Sequence, residues 1–285
     1  MAKAQEKESD AARFARESLE KNNKKKTEGF PKYDTTIHFT TILPANVDSA
    51  TKKIRILPGE NGQWFQEIQL HKMHIGKQWN KFLCLEGNFG EECPFCEAEQ
   101  QYMTRNKKDG LTPKEDFVLA CKYKPFPAYV CKVIDRDAED EGVKFWRFSH
   151  DFSNKGIMDK LTAIMDEKGD ITHPRTGRDL SIKIVRDQNK NPIINSIIQD
   201  DPSLLTDNKE KAVLWIGDKR TWQDVYKKYA YEYLEIVVKT GQIPIWDKTV
   251  GEGGGYRART TDERFPETPI PEKGKDAENK DDIPF

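Results

Sequence analysis

The chain has 285 residues, room for one large domain or two small ones, and its net charge at pH 7 is −1. Hydrophobic residues make up 36% and charged ones 33%, so a modest core is expected with part of the chain outside it. No apolar run is long enough to span a membrane, the polar start Met1–Glu8 lacks a signal-peptide pattern, and the near-neutral charge by itself argues against a nucleic-acid binder.

Charge is unevenly spread. Residues 1–30 carry 8 basic and 6 acidic side chains, residues 31–250 carry 33 of each, and residues 251–285 carry 6 basic and 9 acidic. Any basic surface on the core must arise from segregation in three dimensions. Residues 1–30 read as a flexible arm, with a short helix over Asp10–Glu20 and a basic run, Lys21–Lys26. The functional alternative is an arm that touches DNA or a neighbouring protomer.

From about residue 36 the pattern turns β-like. Thr36–Leu43, Lys53–Leu57 and Trp64–Leu70 are short runs rich in β-branched or aromatic residues, and Pro58-Gly and Asn61-Gly mark turns. After a cysteine-rich window, Thr112–Asp116 breaks the chain and introduces two further strands, Phe117–Cys121 and Ala128–Ile134. An acidic turn, Asp135–Gly142, precedes a strand at Val143–Phe148. Ile157, Leu161 and Ile164 have helical spacing and are expected to face the core. Leu180–Val185 and Ile193–Ile198 predict a hairpin around Asp187–Asn191. Thr221–Asp224 resembles a capping box that starts a helix through about Tyr233. Gly251–Gly255 opens a tail rich in Pro, Gly and charge, expected to be disordered. The fold class expected is mainly β with flanking helices (α+β), a small barrel elaborated by insertions. The boundaries are 1–30 for the arm, 31–249 for the core with a metal subdomain at about 71–105, and 250–285 for the tail.

The window holds His71-Lys-Met-His74, Cys84 and Cys93-Pro-Phe-Cys96, with three of the five cysteines. Zinc takes four soft or borderline ligands at tetrahedral corners, and a Cys-x2-Cys turn supplies two from one loop. Cys84, Cys93, Cys96 and one of His71 or His74 are the candidates for one structural Zn2+. Three thiolates leave the site at about −1, which suits Lys72, Lys77 and Lys81 as neighbours. A redox pair at a helix start is the rival, since Glu97–Gln101 reads as helical. That reading needs a preceding buried strand, and a polar loop, Gly87–Glu92, stands there instead. Clustered cysteines without a signal sequence fit a reducing cytoplasm.

Two stretches interleave bases with aromatics: Lys122-Tyr-Lys124-Pro-Phe126 with Tyr129 and Lys132, and Lys144-Phe-Trp146-Arg147-Phe148. Cations that track phosphates beside rings that stack on unpaired bases are what single-stranded nucleic acid requires. In a strand Lys144, Trp146 and Phe148 share one face and Phe145 and Arg147 the other, so one aromatic face is expected to be core.

With these residues assembled, the chain resembles the zinc-containing single-stranded-DNA-binding proteins of T-even-type bacteriophages. The resemblance rests on Ile54–Pro58, His71, Trp79, Cys84, Cys93-Pro-Phe-Cys96, Glu141-Gly and Phe145–Phe148, and covers roughly residues 50–240. It implies an OB-fold core with a zinc subdomain, His71 as the histidine ligand, and DNA contacts at Arg55, Phe117, Lys122, Phe126, Trp146 and Arg147. The sequence departs from the family at the second cysteine gap, one residue shorter, and at Pro127, where the family has an aromatic. The last residues, Asp281, Asp282, Ile283, Pro284 and Phe285, resemble the tip of bacterial single-stranded-DNA-binding proteins. That implies docking of replication, recombination or repair enzymes through the tail. Self-association along the DNA and a place in the cytoplasm of an infected bacterial host are further implications. No Gly-rich phosphate loop, nucleophile elbow or carboxylate cluster with metal spacing is present, so catalysis is not expected.

Overall fold

The computed structural model describes residues 34–44, 46–76, 78–251 and 253–260. The expected arm at 1–30 and the tip at Asp281, Asp282, Ile283, Pro284 and Phe285 lie outside these residues, as does Lys77. The fold is mixed α+β. One large, mainly antiparallel sheet of eight strands dominates. The strands are β1 (His38–Phe39), β2 (Ser49–Ile56), β3 (Phe65–Ile75), β4 (Gln78–Leu83), β5 (Phe126–Asp135), β6 (Val143–Ser149), β7 (Arg178–Arg186) and β8 (Pro192–Pro202). Among the described residues no pairing closes the sheet into a barrel.

The sheet forks at β5. One edge of β5 pairs with β6 along Ala128–Ile134. The other edge is shared: Phe126–Cys131 pairs with β3, and Val133–Asp135 with β2. Sharing an edge forces the two partners apart and bends the sheet. The sequence of β5 suits this place because both of its faces are covered. Cys131 and Val133 enter one apolar cluster with Ile54, Ile56, Trp146, Phe148, Leu180, Ile182 and Ile184. Ala128 and Val130 enter another with Ile68, Leu70, Leu83 and Phe145. The helix α4 (Ile157–Lys168) closes the first cluster with Leu161 and Ile164, as its spacing predicts. Trp222 and Tyr226 cover the second.

Of the helices that precede it, α1 (Leu85–Phe89), α2 (Pro94–Arg105) and α3 (Lys114–Tyr123) form the region after β4. Helices α5 (Lys209–Ile216), α6 (Trp222–Val225) and α7 (Tyr231–Thr240) follow β8, and a small hairpin, β9 (Ile245–Asp247) with β10 (Gly255–Arg257), ends the described chain. No helix among the described residues is long and apolar enough to cross a membrane.

Several expectations need correction. Phe117–Cys121 is helical, inside α3. Pro113 precedes the helix and Glu115 and Asp116 occupy its first turn, which favours that end electrostatically. A five-residue apolar run cannot separate helix from strand by periodicity. The Thr221–Asp224 capping box is present, with Thr221 N–H donating to Asp224 Oδ2 at 2.6 Å, but its helix stops at Val225. Tyr226 turns extended, which lets it pack beside Trp222 while Tyr229 and Tyr233 serve a separate cluster. Strand structure in Thr36–Leu43 is confined to His38–Phe39. Gly251, Gly253, Gly254 and Gly255, expected to open the tail, lie between the two strands of the β9–β10 hairpin or at its edge, and the expected tail from residue 261 lies outside the described residues. Gly251, Gly253 and Gly254 take φ of 65°, 102° and 94°, open to glycine at little cost, and Tyr256 beyond them packs against Tyr233 and Trp246.

Candidate metal centre and cationic sheet face

Four ligand atoms converge where β3, β4, α1 and α2 meet. His71 Nε2 lies 3.4 Å from Cys93 Sγ and 3.6 Å from Cys96 Sγ, and Cys84 Sγ lies 3.5 Å from Cys96 Sγ. All four atoms fall within 4.8 Å of one another. Tetrahedral donors bonded to an ion at about 2.0–2.3 Å stand about 3.3–3.8 Å apart; the three separations above fall in that range, and a small closing of the set lets these residues hold a metal ion.

Local structure explains the convergence. Cys84 ends the β4 run and caps α1, where Gly87 N–H donates to its sulfur at 3.2 Å. Cys93 caps α2, Pro94 takes the first helical position, and Cys96 follows one turn on. Helix N-termini favour anionic sulfur. His71 Nδ1–H donates to Tyr123 O at 2.7 Å, the C-terminal carbonyl of α3, which leaves Nε2 to face the sulfurs. Phe95, fully buried, stacks on the His71 ring at 4.7 Å and fixes its plane.

Strand parity decides between the histidines. His71 pairs with Phe82 and faces the metal-side core, whereas His74 pairs with Trp79 on the opposite face. In the metal-free geometry burial opposes charge on His71, but the sulfurs of Cys84 and Cys93 outweigh it and raise the imidazole to about 9. Hydrogen bonds from Cys84 and Cys96 hold the Cys93 thiol far below its ordinary range, and the same contacts drive Cys96 up. A crowd of thiols that sheds one proton and resists losing more is what a dication relieves: it favours neutral imidazole and thiolates together. Of the other cysteines, Cys131 is buried in the core and pushed up by burial, and Cys121 is exposed.

Lys72 and Lys81 do not neighbour the sulfurs. They pair across β3–β4 on the other face of the hairpin. There Lys72 Nζ stands 5.6 Å from the Trp79 ring and 6.0 Å from the Phe126 ring, and Lys81 Nζ 5.8 Å from Phe126. Arg147, on the same sheet face, lies 4.7 Å over Tyr226. No carboxylate among the described residues forms an ion pair with Lys72, Lys81 or Arg147. Lys81 keeps contact with solvent but is crowded by protein; that burial, with Arg147 and Lys72, lowers its ammonium to about 8. Trp79 is 65% exposed.

The remaining candidates separate. Arg55 is fully buried and is not a surface contact. Its guanidinium donates to Asp179 Oδ1 at 3.1 Å, Ser203 Oγ at 3.2 Å, Ser203 O at 2.9 Å and His173 O at 3.1 Å. Arg136 holds the same Asp179 from the other side. A Cβ at Gly177 would meet the backbone carbonyls of His173 and Ile171 at 2.5 Å, and Arg55 Nη2 at 2.9 Å, so glycine is required there. Lys144 is buried against Asp135 at 3.2 Å and Glu141 at 2.6 Å. Trp146, 2% exposed, packs on Phe148 and Phe39. These three are structural. Tyr129 is half-buried, its hydroxyl on His150 Nδ1 at 2.9 Å, and faces the first core cluster rather than the cationic face. Lys132 is taken up by Asp218. Phe117, Lys122 and Lys124 are exposed on and just after α3, and Phe126 and Arg147 join the cationic face. Lys72, Lys81 and Tyr226 were not anticipated there. The cross-strand pairing of Lys72 with Lys81 was the missed signal, because β4 was not recognised as a strand.

A scan against protein-family models gives no match, and neither does a search of curated proteins.

Proposed function

We propose that this chain binds single-stranded DNA with little sequence preference through the cationic face of the β3–β4 hairpin, and that one structural Zn2+ holds that hairpin. The carrying observation is the set Lys72, Lys81 and Arg147, cations without carboxylate partners among the described residues, beside exposed Trp79 and half-buried Phe126. Clustered cations repel one another unless an anion is the ligand, and rings beside them stack on bases only when those bases are unpaired. One imidazole and three thiolates in a tetrahedral arrangement favour zinc over harder ions. The forked sheet at β5 supports an OB-fold with an inserted zinc subdomain as the finer description. Coating of DNA in phage replication, recombination and repair, and recruitment of enzymes by the tail, follow from the resemblance and complete the reading.

Titration of tryptophan fluorescence with oligo-dT at several salt concentrations tests it. Each phosphate neutralised adds about −0.7 to the slope of log K against log salt, so Arg147→Ala should make the slope shallower by about that amount. Trp79→Ala should cost about 1–3 kcal/mol of binding with the slope unchanged. Equal affinity for duplex and single strand, or no salt dependence, would sink the reading.

Lys81 adds a pH signature. Its folded-state pKa is lowered to about 8, so the free protein loses this charge as pH rises through that value, and a bound phosphate restores it. Affinity should fall as pH rises from 7.5 to 9.5, by at most about tenfold per unit for one linked proton. Lys81→Arg should flatten the profile. A profile identical in both proteins removes Lys81 from the site.

A further inference from the structure

The last strand of the sheet path, β8, is covered by β7 on one edge and by no described strand on the other. We propose that this edge pairs antiparallel with the same edge of a second copy, about a two-fold axis between Asn195 and Ser196. The sequence of the strand is symmetric about that point: Ile193-Ile-Asn-Ser-Ile-Ile198. Two-fold pairing there sets Ile193 against Ile198 of the second copy, and Ile194 against its Ile197.

Symmetry of sequence is not sufficient, because paired residues must also share a face. In a regular strand, positions five apart lie on opposite faces, and this pairing would fail. A bulge in β8 corrects the parity. The register with β7 slips between Lys183 and Ile184, so that Ile198 pairs with Ser181, Ser196 with Lys183, Ile194 with Ile184 and Ile193 with Val185. Ile193 and Ile198 therefore both lie on the outer face, 45% and 58% exposed, while Ile194 and Ile197 both pack on the core. The bulge thus gives each isoleucine a partner on its own side of a continuous sheet.

Charge agrees. The same register brings Lys190, in the turn before β8, opposite Asp201 of the second copy. Neither has an ion-pair partner among the described residues, whereas the adjacent Asp200 is held by Lys53. From Pro192 to Gln199 the strand also lacks the charged residues that usually blunt a free edge. Lys160 and Arg178 hold the carbonyls of Ile194 and Asp200 at 3.0 and 2.8 Å, which fixes the strand in place within its own protomer.

Sedimentation velocity of the full chain without DNA, across roughly 1–100 µM, tests this, the range suited to a small interface. A reversible dimer is expected. Ile198→Lys, at an exposed position, should raise its dissociation constant tenfold or more, with an unchanged thermal melt. Lys190→Asp should also weaken it, and Lys190→Asp combined with Asp201→Lys should restore it. A monomer throughout, or a dimer indifferent to Ile198→Lys and to the charge exchange, overturns the proposal.

Discussion

Replacing Cys93 by serine is expected to abolish metal binding and to loosen α1 and α2. Cys93 is almost wholly buried, lies 3.4 Å from His71 Nε2 and starts α2. Serine can still cap the helix, so the loss is confined to the thiolate. Structural zinc contributes about 10–16 kcal/mol in zinc-finger peptides, comparable with the whole stability of a domain, about 5–15 kcal/mol. The apolar cluster around the site joins Cys84, Cys93, Phe82, Leu85 and Phe95 to Tyr233, Leu234 and Val237 of α7, so the metal is one of two supports for this region. Elemental analysis should find one zinc per chain in the parent protein and in His74→Ala, and none in Cys93→Ser. Hydrogen exchange should accelerate across α1 and α2. Zinc retained by Cys93→Ser, or lost from His74→Ala, would reject the ligand set.

Trp146→Ala is expected to destabilise the protein without a specific effect on DNA. The ring is fully enclosed, 4.8 Å from Phe148 and 5.8 Å from Phe39, in the cluster that joins β2, β5, β6, β7 and α4. Truncating a buried tryptophan costs about 3–5 kcal/mol, which for a domain of this size lowers the melting temperature by roughly 6–20 °C. Below the transition, affinity for oligo-dT should match the parent. Trp79→Ala should show the reverse: weakened binding and an unchanged melt. A Trp146→Ala protein that melts normally and binds poorly would return this ring to the DNA site.

The difference between those two tryptophans shows where sequence reading succeeds. Chelation demands fixed residue types at fixed spacing, so Cys84, Cys93 and Cys96 were legible. The choice between His71 and His74 depended on strand parity, which is available only once β3 and β4 are both recognised. Gln78–Leu83 does not alternate apolar with polar residues, and its local sign is Gly76, whose φ of 61° makes the turn before it. That signal was present but was obscured by the metal window around it. The fates of Arg55 and Lys144 were not legible. Arg55 is neutralised by Asp179, 124 positions later, and nothing local announces such a partner. Basic residues interleaved with aromatics are legible as a pattern, but tertiary pairing selects which of them reach solvent.

The β3–β4 hairpin also has a property that follows from its alternation. One face carries His71 and Phe82, the other Lys72, Lys81 and Trp79. Slippage of one strand by a single residue would exchange the faces, turning the lysines inward and the ligand outward. Because His71 lies in β3 and Cys84 directly follows β4, an ion bound to both acts as a register pin, welding the two strands at one offset. Under the function proposed above, occupancy of the metal site and affinity for a polyanion are two readings of the same equilibrium. By reciprocity, whatever factor the ion adds to the grip on nucleic acid, nucleic acid returns to the grip on the ion.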